Sequence, residues 1–210
     1  MSTGTHSKEL SQAAKPSGLK GMALAYLMRW VHRTEYNAVA EALQLGRNDR
    51  FLEIGCGSGF FLWKYAAGTA ESAGLDHSAD MVAMAGRRNA RRVNSGATEF
   101  RQGDASSLPW QDGSFTAVAA IATFMFWPDP SNALKEVRRV LQQDGRLVIS
   151  LGWNADDGVD HTGHAHKYGI KLYSGAELQT MLENTGFSHV SITCKKAFMS
   201  PGLMICKAVK

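Results

Sequence analysis

The chain has 210 residues, 44% of them hydrophobic and 20% charged, with a net charge of +4. That length buries the core of one domain, and no uninterrupted apolar run approaches the roughly 18 residues a membrane span requires. The mild basic excess attracts anions but lacks a clustered basic face, so nucleic acid is not an expected partner.

Residues 1–18 are rich in Ser, Thr, Gly and Lys and almost lack large apolar side chains, which predicts a flexible tail. Over 19–45, Leu24, Leu27, Met28, Val31, Val39, Ala42 and Leu43 recur at helical spacing. They predict an N-terminal helical lid ahead of a main domain at 46–210. The apolar stretch 22–31 is interrupted by Arg29 and lacks a signal-cleavage pattern. Cys56, Cys194 and Cys206 are far apart and without metal-ligand spacing, as expected of buried thiols in a reducing cytoplasm.

The segment 50–54 reads as a buried strand ending in glycines, and 60–67 as the helix after it. The alternation continues with strands at 73–76, 98–102, 115–122 and 146–151 and helices at 79–93 and 131–141. Strands alternating with helices imply an α/β fold, a mostly parallel sheet covered on both faces. In the helix at 79–93, Arg87, Arg88, Arg91 and Arg92 are expected to form a solvated face. After Gly152 comes a polar loop to about residue 173, then a helix at 176–184 that Ser174 can cap and Gly186 can end. Strands at 189–194 and 203–208 flank Ser200-Pro201-Gly202, read as a turn.

The most informative segment is Glu53-Ile54-Gly55-Cys56-Gly57-Ser58-Gly59-Phe60, a glycine-rich turn between strand and helix. Such a turn lets backbone approach a ligand closely. A dinucleotide fingerprint calls for Gly or Ala where this chain has Phe60, and Glu53 would repel a pyrophosphate while attracting an ammonium or sulfonium. Asp76, about twenty residues on at the end of the second strand, can accept ribose hydroxyls. Asp104, after the third strand, can accept an adenine amine while the Ala105 amide donates to a ring nitrogen. Three such signals at the ends of three successive parallel strands converge, because open α/β sheets bind ligands there.

These residues resemble those of the class I S-adenosylmethionine-dependent methyltransferases of the small bacterial type. The resemblance covers about 50–210 and rests on Phe51-Leu-Glu-Ile-Gly-Cys-Gly-Ser-Gly59, Leu75-Asp76, Gln102-Gly-Asp-Ala105, Leu108-Pro-Trp110 with Asp112-Gly-Ser-Phe115, Phe126-Trp-Pro-Asp129 and Glu136-Val-Arg-Arg-Val-Leu141. It implies a Rossmann-like three-layer α/β/α sandwich on a seven-stranded, mostly parallel sheet with an antiparallel last strand. It also implies that Glu53, Gly55, Cys56, Gly57 and Gly59 contact the methionine part of S-adenosyl-L-methionine and that Ile121 lines that end. Asp76, with His77 and Met81 beside it, would take the ribose, and Asp104 and Ala105 the adenine; the product would be S-adenosyl-L-homocysteine. Two positions depart from the pattern: Thr116 stands where relatives commonly carry Asp, and Ala122 where a similar subgroup often carries Asn.

On this reading the chain transfers a methyl group in line to a small-molecule acceptor, and positioning alone can supply about 7 to 11 kcal/mol. An acceptor that loses a proton needs a base, for which His164 and His166 in the loop after the fifth strand are the candidates. Tyr26, Trp30 and Trp127, with those two histidines, are expected around the acceptor, whereas Phe124 and Phe126 are expected in the core. His161, His164, His166 and Asp160 are metal-ligand types, but no second cluster supports a metal, and none is expected. A nicotinamide-dependent oxidoreductase, a non-catalytic S-adenosylmethionine-binding module and an RNA methyltransferase stay open as alternatives, and the chain is expected to be a monomer or homodimer.

Overall fold

A computed structural model describes residues 32–197 and 200–210. The expected tail, the first part of the lid, and Tyr26 and Trp30 lie outside the described residues. The elements begin with α1 (Arg33–Leu43), β1 (Arg50–Ile54), α2 (Phe60–Tyr65), β2 (Glu71–Asp76), α3 (Ala79–Arg88), α4 (Ala90–Asn94) and β3 (Thr98–Gln102). Next come β4 (Phe115–Ile121), a 3-10 turn at Phe124–Phe126, α5 (Pro130–Val140), β5 (Leu141–Leu151), α6 (Thr162–Tyr168), α7 (Gly175–Asn184), β6 (Ser188–Ala197) and β7 (Ser200–Val209).

Seven strands form one sheet in the order β3-β2-β1-β4-β5-β7-β6. β1 to β5 pair in parallel, and β7 runs antiparallel to both β5 and β6. Because side chains alternate along a strand, each strand feeds two cores. Leu52, Val118, Leu147 and Cys206 pack on one face with Leu134 and Val137 of α5 and Leu178 and Leu182 of α7. Phe51, Ala117, Val148 and Ile205 pack on the other with Val39 and Leu43 of α1 and Phe61 and Leu62 of α2. Burial of each large side chain contributes about 1.5–3 kcal/mol, so helices are held on both faces of the Rossmann-like sheet.

Five details differ from the sequence reading. The helix expected at 79–93 breaks at Asn89, whose side-chain amide donates to the carbonyls of Gly59 and Ala85 instead of letting the helix run on. Of its arginines, Arg92 is bound to the carbonyls of Ala67, Thr69 and Ala97 and to the Thr98 hydroxyl, and Arg88 donates to Ser58, so the face is partly structural. The loop after Gly152 carries α6, a seven-residue helix ended by Gly169 in the left-handed region. Ser200-Pro201-Gly202 lies within β7: the Ser200 hydroxyl donates to the Gly152 carbonyl at 2.6 Å and the Gly202 carbonyl accepts from Asn154 at 2.6 Å. Of the three thiols, Cys56 and Cys206 are buried as expected and Cys194 is exposed.

Candidate functional site

The strand order turns back at β1, which has β2 on one side and β4 on the other. Connections leave such a point towards opposite faces and open a crevice at the carboxyl ends of the strands. A cavity of about 450 Å³ lies there, walled by the ends of β1 to β4, by α1 and by the segment after β4.

Its floor is the glycine turn. Gly55, Gly57 and Gly59 all have positive φ, at 73, 50 and 68°. The Gly55 and Cys56 amides donate to the Leu75 carbonyl at 2.8 and 3.0 Å, tying the turn to β2. A Cβ on Gly55 would run into Thr123, and one on Gly59 would strike Ala85 and Asn89, both at 2.8 Å. Gly59 is therefore a packing residue between α2 and α3 and does not line the cavity. Gly57 is different: a Cβ there would meet nothing within 4 Å, because the residue faces the open cavity. Cys56 lines the same wall, and burial, reinforced by the Glu53 and Asp76 carboxylates, pushes its thiol far up, so it stays protonated.

Two carboxylates stand over this turn. Glu53, 3% exposed at the end of β1, has an Oε2 with no hydrogen-bond partner. Burial first, and repulsion from Asp76 second, hold its carboxyl well above the usual carboxylate range. Asp76 is held by backbone: Oδ2 accepts from the Gly57 amide at 2.8 Å and Oδ1 from the Ser78 amide at 2.9 Å. Each oxygen keeps a further lone pair for a ligand hydroxyl, so Asp76 is oriented before anything binds. His77 and Met81 continue the wall past Asp76.

Further along, the Asp104 Oδ1 accepts from the Ser106 amide and hydroxyl at 2.8 and 2.5 Å, which lowers its carboxyl below the ordinary range and leaves its other oxygen for a donor. Ala105 lines the cavity beside it. Ile121 closes the β4 side, next to Ala122, a non-glycine residue at φ 52°. Trp127 and, contrary to expectation, Phe126 line the far wall, while Phe124 is fully buried as expected. Phe126 reaches the cavity because the 3-10 turn buries Phe124 and Met125 and leaves its third residue at the wall.

Sequence reasoning missed His32 and Tyr36, which α1 brings onto the cavity wall. Their i, i+4 spacing within His32-Arg-Thr-Glu35-Tyr36 was the available signal. His164 and His166 stand on α6 outside the wall, His164 with its ring 4.8 Å from Trp153 and 6.2 Å from Tyr168. His161 bonds Asp157 at 2.7 Å. Among the described residues no group of three or more His, Cys, Asp or Glu side chains is arranged to hold a metal.

Comparison with known proteins decides the family. The family model "Methyltransferase domain" matches residues 52–149. YrhH of Bacillus subtilis, a methyltransferase by name, is 33% identical over 144 residues, 67% of this chain and 74% of the relative. The chain belongs to the S-adenosylmethionine-dependent methyltransferase family. The demethylmenaquinone methyltransferase of Lactobacillus johnsonii is 28% identical over 177 residues, 72% of each chain. In fold, this methyltransferase domain matches a Thermotoga maritima S-adenosylmethionine-dependent methyltransferase, described as a possible histamine N-methyltransferase. The TM-score is 0.71 at 22% identity, covering 96% of this chain and 98% of the other. The chain spans from 34% to 74% of the length of the curated relatives it matches.

S-adenosylmethionine is the cofactor of this family, and the residues present fit it. Glu53 offers an unpartnered buried oxygen to a cation, Gly57 leaves room for it, and Asp76 and Asp104 each keep acceptor capacity. Among the described residues the cavity wall holds Glu53, Asp76, Asp104 and Asp129 and no Lys or Arg, a balance that favours a positively charged ligand.

Proposed function

We propose that this methyltransferase passes a methyl group in line to a small-molecule acceptor entering between α1 and Trp127. When bound, S-adenosylmethionine supplies an electrophilic methyl group on a sulfonium, with S-adenosylhomocysteine as its product. The observation that carries the reading is the buried, unpartnered Glu53 oxygen at the cavity floor. A buried carboxylate without a partner costs several kcal/mol if ionised, so a cation seated against it is the arrangement that makes the residue useful.

In this proposal Glu53, Gly55, Cys56, Gly57 and Ile121 hold the methionine portion, with Gly59 shaping the turn from behind. Asp76, His77 and Met81 surround the ribose, and Asp104 and Ala105 the adenine. Trp127 and Phe126 exclude water at the acceptor side, and α1 closes the opposite wall as the described part of the lid at 19–45. Tyr26 and Trp30 are proposed to extend that lid, ahead of a tail at 1–18 and the catalytic domain at 46–210. The uncharged aromatic wall and the lack of Lys or Arg support an acceptor without negative charge. Relatives named for quinone substrates, the demethylmenaquinone and 2-phytyl-1,4-beta-naphthoquinone methyltransferases, agree with a small acceptor. No helix among the described residues is long and apolar enough to cross a membrane. Its widely spaced free cysteines support a place in the cytoplasm, and we propose a monomer or homodimer.

Thermal unfolding separates this reading from an oxidoreductase on a similar sheet. S-adenosylhomocysteine is expected to raise Tm by several degrees and NADH to leave it unchanged; at a hundredfold excess over Kd the stabilisation is about 2.7 kcal/mol. The reverse result would refute the assignment of the cavity.

A further inference from the structure

The cofactor cradle leaves unused a buried polar chain on α1, and a role for that chain rests on the methyl-transfer reading. Glu35 is 5% exposed and both its oxygens are engaged. Oε1 accepts from the Ser150 hydroxyl of β5 at 2.7 Å, and Oε2 lies 2.5 Å from His32 Nδ1. The Ser150 hydroxyl oxygen in turn accepts from the Ala122 amide at 3.4 Å, so the chain is moored to the strained end of β4 beside the cavity.

This chain fixes the histidine. With Nδ1–H donating to the Glu35 carboxylate, the lone pair of the neutral ring sits on Nε2. His32 is on the cavity wall next to Tyr36, carried by a different element from Asp76 and Asp104. The other cavity histidine, His77, is different: its side chain is 47% exposed, and its nearest acidic atom is Asp76 Oδ1 at 4.0 Å.

We propose that His32 is the base that takes the acceptor's proton, with Glu35 as the positioning residue that aims and stabilises the imidazole. The acceptor is then a weakly acidic oxygen or carbon, such as a phenol or an enol. The acceptor atom's electron pair forms the new bond to the methyl carbon as the carbon–sulfur bond breaks, its electrons staying on sulfur. The proton passes to His32 Nε2, and the imidazolium so formed faces the Glu35 carboxylate. The same two residues give a buried carboxylate its compensation only when the ring carries charge, which matches the state created by proton transfer.

The charge surroundings agree. Burial lowers the His32 pKa, but the hydrogen bond and attraction from Glu35 outweigh it, and the net direction is upward from 6.5. The other titratable groups facing the cavity are Tyr36 on α1, Glu53 on β1, Cys56 in the glycine turn, Asp76 and His77 at the end of β2, Asp104 after β3 and Asp129 before α5. Burial, with Glu53 and Glu35 adding to it, keeps the Tyr36 phenol protonated, and Arg88 opposes that only in part.

The test combines a titration with kinetics. Histidine ring NMR of the whole protein is expected to show His32 titrating above 6.5 in the wild type and below the wild-type value in Glu35→Gln. Methyl transfer from tritiated S-adenosylmethionine is measured with 1,4-naphthalenediol and with a host-cell small-molecule extract as acceptors. His32→Asn is expected to lower kcat by about 100-fold or more while the Kd for S-adenosylhomocysteine stays within about twofold. Glu35→Gln is expected to lower kcat less and to move the rising limb of the pH–rate profile to lower pH. Unchanged kcat in His32→Asn, or equal His32 titration in both proteins, overturns the proposal. So does a wild type that binds S-adenosylhomocysteine but labels no acceptor, or labels only amines. Failure of the wild type to bind S-adenosylhomocysteine defeats the cofactor reading first and this proposal with it.

Discussion

Glu53 and Asp49 show how the same side-chain chemistry is set differently by its neighbours. Around Glu53 the structure supplies burial and a second carboxylate, and both drive its carboxyl upward. Around Asp49 burial also pulls upward, but Arg146 at 2.7 and 3.0 Å, the Gly46 amide at 2.6 Å and the Thr116 hydroxyl at 2.6 Å prevail, bringing the carboxyl down to about 2. A group lowered on folding stabilises above its unfolded value, 3.8, and that stability is lost as pH falls through about 2. The Asp49 side chain is 13% exposed, so only a modest discount applies, and Asp49→Asn is expected to cost about 1–2 kcal/mol in urea unfolding near neutral pH. The cost should shrink as pH falls towards 2. This also accounts for Thr116, where relatives commonly carry Asp: its hydroxyl donates to Asp49, and a carboxylate there would repel it. The departure at Ala122 has a different consequence, since its φ of 52° is held by the pairing of the β4 end with Ser150.

At the scale of elements, α7 was fully legible. Ser174 accepts from the Glu177 amide at 3.2 Å while Glu177 accepts from the Ser174 amide at 2.8 Å, a reciprocal cap whose residue types are visible in Ser174-Gly-Ala-Glu177. Ser174→Ala is expected to cost about 1 kcal/mol in thermal or urea unfolding, and a loss below about 0.3 kcal/mol would contradict the role given to the cap. β1 and β4 were legible as short, mostly apolar runs, and β2 and β3 because each runs into a turn residue at its carboxyl end, Asp76 for β2 and Gly103 for β3. The break at Asn89 was not, because it depends on Gly59, thirty positions away, offering a carbonyl. Nor was α6, most of whose residues are weak helix formers and which buries little, so that no apolar period marks it. The cavity side of α1 was only half legible: apolar spacing located the helix, but which face meets β4 and β5, and with it the placing of His32 and Glu35, is set by tertiary packing.

For the whole molecule, the sheet order puts the glycine turn, two aspartates and Glu53 at the point where the strand sequence reverses. The residues proposed for the cofactor, Gly59 apart, all line the cavity, and most of them lie at or just after strand ends, a position that the chain alone reveals; Gly59 supports the turn from outside. The acceptor side was less legible, since it joins segments far apart in sequence. With a net charge of +4, the chain nevertheless places four carboxylates, two histidines and no Lys or Arg on its cavity wall among the described residues, so cation recognition there is local. Calorimetric titration with S-adenosylmethionine, for the wild type and Glu53→Gln between about pH 6 and about pH 8, probes this most directly. Burial raises the Glu53 carboxyl in the free protein and a cation seated against it favours the ionised form, so wild-type affinity should rise with pH. Glu53→Gln should bind about 10- to 100-fold more weakly at the higher pH and show a flatter dependence. Equal affinities with the same pH dependence in both proteins would contradict a positively charged donor held by Glu53.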